Sequence, residues 1–133
     1  MDGLYVEGFS EYSAFGAELT STLEGSGVRI TESREEAKAL LQVSKVRFHR
    51  RVLSVSPRTG KVREFELHYG LVMSVTDKEG RELVPRQRLE EVRDFVFDET
   101  DVLGKSSEQA LLREEMQRDL IQQILRRLQA VAG

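Results

Sequence analysis

The sequence predicts an α+β fold: a two-layer sandwich with two amphipathic helices packed on one face of a mainly antiparallel sheet. Three observations predict it. Tyr12, Phe15, Leu19 and Leu23 recur at three- and four-residue steps. Apolar and polar residues then alternate from Val46 to Val75. A second helical stripe steps by four through Leu112, Met116, Leu120, Ile124 and Leu128. A period near 3.6 puts apolar side chains on one helix face, and a period of two puts them on one strand face. The chain has 133 residues, which suits one domain over 1–133.

The elements follow in order. "LYVEG" reads as a short strand, and the first helix ends at "EGSG", where Gly25 and Gly27 are natural stops. "VRI" is a candidate for a further short strand. In the alternating region Val46, Phe48 and Val52 oppose Arg47, His49 and Arg51 in parity, and Phe65, Leu67, Tyr69, Leu71, Met73 and Val75 follow. Pro57 to Gly60 form the turn between these two strands, because proline presets its first angle and glycine closes it. With a four-residue loop, Ser56 faces Lys61, Val52 faces Phe65, Phe48 faces Tyr69 and Val46 faces Leu71. A slip of one residue would place Phe48 opposite Gly70 and scatter the apolar set. "DKEG" at Asp77 to Gly80 makes a second turn. The next strand carries apolar residues on both parities, with Leu83, Leu89, Phe95 and Phe97 against Val84, Val92 and Val96. Its Pro85 points to an edge or a bulge. The last helix is expected from about Ser106 to Ala130, with Ser106 and Gln109 as a capping box. Two helices cover one face of such a sheet, so the face with His49, Arg51, Leu53, Glu64, Glu66, His68 and Val72 is left for solvent or a partner.

Composition narrows the function. The formal net charge is -3, so the chain as a whole does not steer toward nucleic acid or acidic membranes, and any anion binding is local. Without cysteine there is no disulfide, thiol nucleophile or thiolate metal site. No apolar run is long enough to span a bilayer.

Two clusters remain as candidate chemistry. His49 faces His68 with Glu66 nearby, and two imidazoles and a carboxylate could hold zinc, but nothing in the sequence fixes the third ligand in place. The expected reading is a polar strand surface. No nucleophile elbow or phosphate loop appears, so the chain is expected not to be an enzyme and to need no cofactor. The second cluster is basic. Arg58, Lys61 and Arg63 surround the hairpin turn, and Lys105 is expected in the loop before the last helix, near its positive end. For any single one of these residues solubilising edge charge is the commoner reading; taken together, the sharper one is an anion site for a phosphorylated lipid, or for nucleic acid as the alternative. A nucleic-acid module would want a broader basic surface with aromatic platforms.

The stretch "RDFVFDETDVLGKSSEQALLREEMQRDLIQQILRRL", Arg93 to Leu128, resembles the end of the lipopolysaccharide-assembly lipoprotein family LptE, also called RlpB. It has the aromatic strand, the short loop with a basic residue, the glutamate-bearing helix start and the leucine-arginine ending. "YVEG", the first helix with "GV" after it, and the hairpin turn are collinear upstream. The resemblance implies a mixed sheet of about four strands under two helices. It implies a non-enzymatic protein that plugs the LptD β-barrel, assists its assembly and binds lipopolysaccharide, on the periplasmic side of the outer membrane. The matching basic positions are Arg58 and Lys105, while Lys61 and Arg63 join them by proximity. Members carry a lipid-anchored cysteine after the signal, so this chain is expected to start beyond that anchor.

Overall fold

The structure, a computed structural model, describes residues 2–8, 13–96 and 102–132. In chain order the elements are β1 (Asp2–Glu7), α1 (Ala14–Gly25), β2 (Arg29–Ile30), β3 (Ala39–Val55), β4 (Val62–Asp77), β5 (Glu82–Val96) and α2 (Val102–Ala132). The sheet order is β2-β1-β3-β4-β5. β1 runs parallel to both β2 and β3, whereas β3, β4 and β5 form an antiparallel meander. The α+β class, the mixed sheet and the two helices are as expected. The sheet has five strands rather than about four, because the two-residue "RI" pairs with β1 at the edge.

The β3–β4 hairpin keeps the expected register at Phe48–Tyr69, His49–His68 and Val52–Phe65. Its turn closes as expected, with Ser56 N donating to Lys61 O at 2.7 Å and Gly60 at a φ of 71°. The Val46–Leu71 pairing is corrected. Ser44 pairs with Val72 and Arg47 with Gly70, so Lys45 and Val46 together stand opposite Leu71. Lys45 takes a φ of 53°, in the left-handed region, which marks a bulge. The bulge changes which parity meets the core. Ala39, Leu41 and Val43 are buried before it and Phe48 packs on the core after it, while Val46 is exposed. β5 does the same. A register shift between its Val84 and Gln87 pairings spans Pro85, so buried Val84 and buried Leu89 differ in parity.

Both helices cover the same sheet face. Phe15, Leu19 and Leu23 of α1 share one buried cluster with Leu67, Leu71 and Met73 of β4. Met116, Leu120, Ile121, Ile124 and Leu128 of α2 complete it. Tyr69 joins the sheet to both helices. Its ring lies 6.1 Å from that of Phe15, and its hydroxyl donates to Gln117 Oε1 at 2.9 Å. Gln117 in turn donates to Glu18 of α1. Partly buried hydrogen bonds of this kind help fix how apolar faces settle against each other.

α1 is capped by Ser13, whose hydroxyl accepts from Gly16 N at 3.0 Å, and it ends at Gly25 with Gly27 at a φ of 91°. Tyr12 and Phe97 lie outside the described residues. α2 begins at Val102, so the expected start at Ser106 is corrected. Ser106 and Gln109 both lie within the helix, three residues apart in sequence. Just past β1, Gly8 comes so close to β3 that a Cβ there would lie 1.6 Å from Val43 O. Only glycine leaves room for that approach.

Candidate functional site

The β3–β4 hairpin runs on beyond its helical cover as an arm. None of the described side chains from 50 to 64 is buried. The boundary is marked by rings already engaged by guanidinium groups. Arg50 lies 4.8 Å above Phe65, and Arg113 lies 4.6 Å above Phe48. Past it the arm holds exposed Arg58, Lys61 and Arg63 around its turn. Among the described residues no carboxylate lies within ion-pair distance of Arg58 or Arg63.

Lys105 is not in a loop. It stands in the first turn of α2, so the loop assignment is corrected. One turn further along, Gln109 accepts from Arg50 Nη1 at 3.5 Å. Gln109 thus ties α2 to the base of the arm one turn after Lys105 in the chain.

The basic turn belongs to a longer positive stretch. Residues 37–63 hold eight of the 20 Lys and Arg and none of the 23 Asp and Glu. The remainder of the chain carries 12 cations against 23 anions. An acidic protein thus concentrates its positive charge on one strand and its turn, where it can act on an anion locally.

The uncovered sheet face holds the histidines. His49 and His68 stack with ring centroids 4.7 Å apart. His68 bridges two carboxylates, with Nε2 at 2.6 Å from Glu66 and Nδ1 at 2.8 Å from Glu90. Glu90 is also held by Arg88 at 3.0 Å, and Arg51 lies 4.0 Å from Glu66. Among the described residues no group of three or more His, Asp or Glu side chains is placed to hold a metal ion. The arrangement is an ionic clamp. Leu53, expected on this face in register, sits instead at a bulge between the Val52–Phe65 and Ser54–Glu64 pairs.

The clamp has a pH signature. The hydrogen bond to Glu90, reinforced by Glu66 and opposed by burial, raises the His68 pKa above its ordinary 6.5. His68 and Arg88 lower that of Glu90. A raised histidine stabilises the fold fully below its unfolded pKa, and that contribution is lost as pH rises through the folded value. The protein should therefore melt at a lower temperature near about pH 8.5 than near about pH 6, as this histidine loses its proton. His68→Gln should flatten that difference. Thermal melts at the two pH values check it, and an equal slope in the variant would assign the difference to other groups.

Comparison with known proteins follows the same end-to-end pattern. Residues 1–128 match the family described as LptE, lipopolysaccharide-assembly. The chain is similar to rare lipoprotein B from Shewanella oneidensis, with a TM-score of 0.77 and 28% identity over 99% of this chain and 94% of that one. It is similar to an uncharacterized lipoprotein B from Nitrosomonas europaea, with a TM-score of 0.78 and 29% identity over 92% of this chain and 79% of that one. A minor lipoprotein from Acinetobacter baumannii shares the fold, with a TM-score of 0.74 at 22% identity over 96% of this chain and 90% of that one. No curated protein is found to match.

Proposed function

Because the chain belongs to the LptE family of lipopolysaccharide assembly, we propose that it is a non-enzymatic lipoprotein partner of the LptD β-barrel that binds lipopolysaccharide at the basic end of its hairpin arm. In this reading it works on the periplasmic side of the outer membrane. It plugs the barrel, assists its assembly and hands lipopolysaccharide toward the outer leaflet. The single observation that carries the ligand is the charge pattern of β3 and its turn: residues 37–63 hold eight cations and no acidic residue on an otherwise acidic chain. Arginine offers a phosphate its planar donor fork and lysine a compact charge, and both contacts are charge-assisted. Neutral sugars do not call for that concentration of cations.

The same cations would suit a nucleic acid, but single-stranded binders stack bases on open rings. Here the rings at the base of the arm, Phe48 and Phe65, are already engaged by Arg113 and Arg50.

The uncovered sheet face supports the barrel partnership, since a face with Arg51, Glu66, His68 and Val72 and no helix above it is available for docking. Photocrosslinkers at Arg51 and Val72 are expected to capture the barrel, while one at Glu115, on the exposed side of α2, is not. Equal capture from both sides would remove the case for this docking face. Co-purification with the barrel and binding of purified lipopolysaccharide test the remainder of the reading.

A further inference from the structure

We propose that the aliphatic end of the arm, Val52, Leu53 and Val55, takes the acyl chains of the phosphorylated lipid whose phosphates meet Arg58 and its neighbours. This deepens the ligand reading above and rests on it.

The three side chains are 51%, 41% and 49% exposed and lie within four consecutive residues. Val96, paired with Glu64 on the neighbouring strand β5, is exposed as well. A strand pair that shows several neighbouring aliphatics to water invites non-specific pairing, and folded proteins usually cover or charge such a patch. This one lies directly before the turn that carries Arg58, Lys61 and Arg63. Register shifts on both sides of Ser54 break the simple alternation there. The aliphatic end is therefore not confined to one clean strand face.

The juxtaposition selects the chemistry of the ligand. A nucleic acid would meet the cations and leave the aliphatic residues wet. An apolar protein wall would cover the aliphatic residues and strip water from cations that it could not pair, which is costly. An amphiphile with phosphates next to acyl chains satisfies both sets at once. The ligand class is an acylated, phosphorylated glycolipid, bound with its phosphates at the turn and its chains along Val52–Val55.

The chain has no tryptophan, so Leu53→Trp makes a single fluorescent reporter in the intact protein. Dispersed lipopolysaccharide should shift its emission to the blue, and deacylated lipopolysaccharide with the same phosphates should not. In parallel, the triple variant Val52→Ser, Leu53→Ser, Val55→Ser should bind the acylated form at least about tenfold more weakly, because apolar burial is lost. Its binding to the deacylated form should match that of the parent protein. If the reporter stays in water while Arg58-dependent binding persists, the acyl assignment fails and the phosphate site stands. A reporter that shifts only when the barrel is added would assign the aliphatic end to protein and overturn the proposal. Failure of the parent protein to bind either form would instead overturn the ligand reading itself.

Discussion

Leu120→Ala should lower the stability of the protein by about 2–5 kcal/mol, the usual cost of emptying a fully buried leucine site. Leu120 has no exposed surface and sits in the cluster by which α2 covers the sheet. For a domain of this size the thermal midpoint should fall by roughly ten degrees. Leu111→Ala is the control. Leu111 lies on the same helix but is 58% exposed, and surface changes stay within about 0.5 kcal/mol. Alanine favours helix slightly over leucine, so any loss at Leu120 is a packing loss and not a propensity loss. Denaturation followed by circular dichroism measures both variants. Similar effects at the two positions would show that α2 is not held by this cluster. The result also bears on the site. The docking of α2 decides where Lys105 stands relative to the arm, so a loosened helix should weaken lipopolysaccharide binding without touching a ligand-binding side chain.

Parts of this architecture were legible because water decides them. A one-residue slip in the β3–β4 hairpin would turn its apolar residues outward, so the pairings of Phe48, His49 and Val52 followed from pattern alone. The bulge at Lys45 was hidden because Val46 extends the apparent alternation through it. The usable signal was a change of phase, from Ala39, Leu41 and Val43 to Phe48. The same signal in β5 was visible, since its apolar residues occupy both parities around Pro85. The start of α2 was misread because a serine and a glutamine three residues apart make either a cap or a pair on a helix surface, and spacing does not separate the two. The partners of His68 divide the same way. Glu66 is two residues away on its own strand, whereas Glu90 arrives from β5 through a register that crosses a bulge. The basic turn was legible, but its weight came from the absence of acidic residues over the whole strand, a long-range count that motif reading passes over.

Reversing Arg58 and Lys105 together should separate binding from folding more sharply than any other pair of changes. Arg58 is exposed in the turn, and its replacement by aspartate removes little packing. Lys105 lies in the first turn of α2, where the helix dipole favours negative charge, so Lys105→Asp should leave the melt unchanged or raise it slightly. Binding should respond very differently. A hydrogen bond to a charged group is worth about 1.5–3 kcal/mol, so losing two contacts costs roughly 3–6 kcal/mol before repulsion is added. That corresponds to a drop of about a hundredfold or more in affinity. Lys61→Asp and Arg63→Asp should weaken binding less, since they follow the turn and do not stand within it. Titration with purified lipopolysaccharide beside a thermal melt reads both quantities. Parent-like binding in a folded double variant would mean that the basic arm is solvated charge, and the lipid would have to be held elsewhere on the molecule.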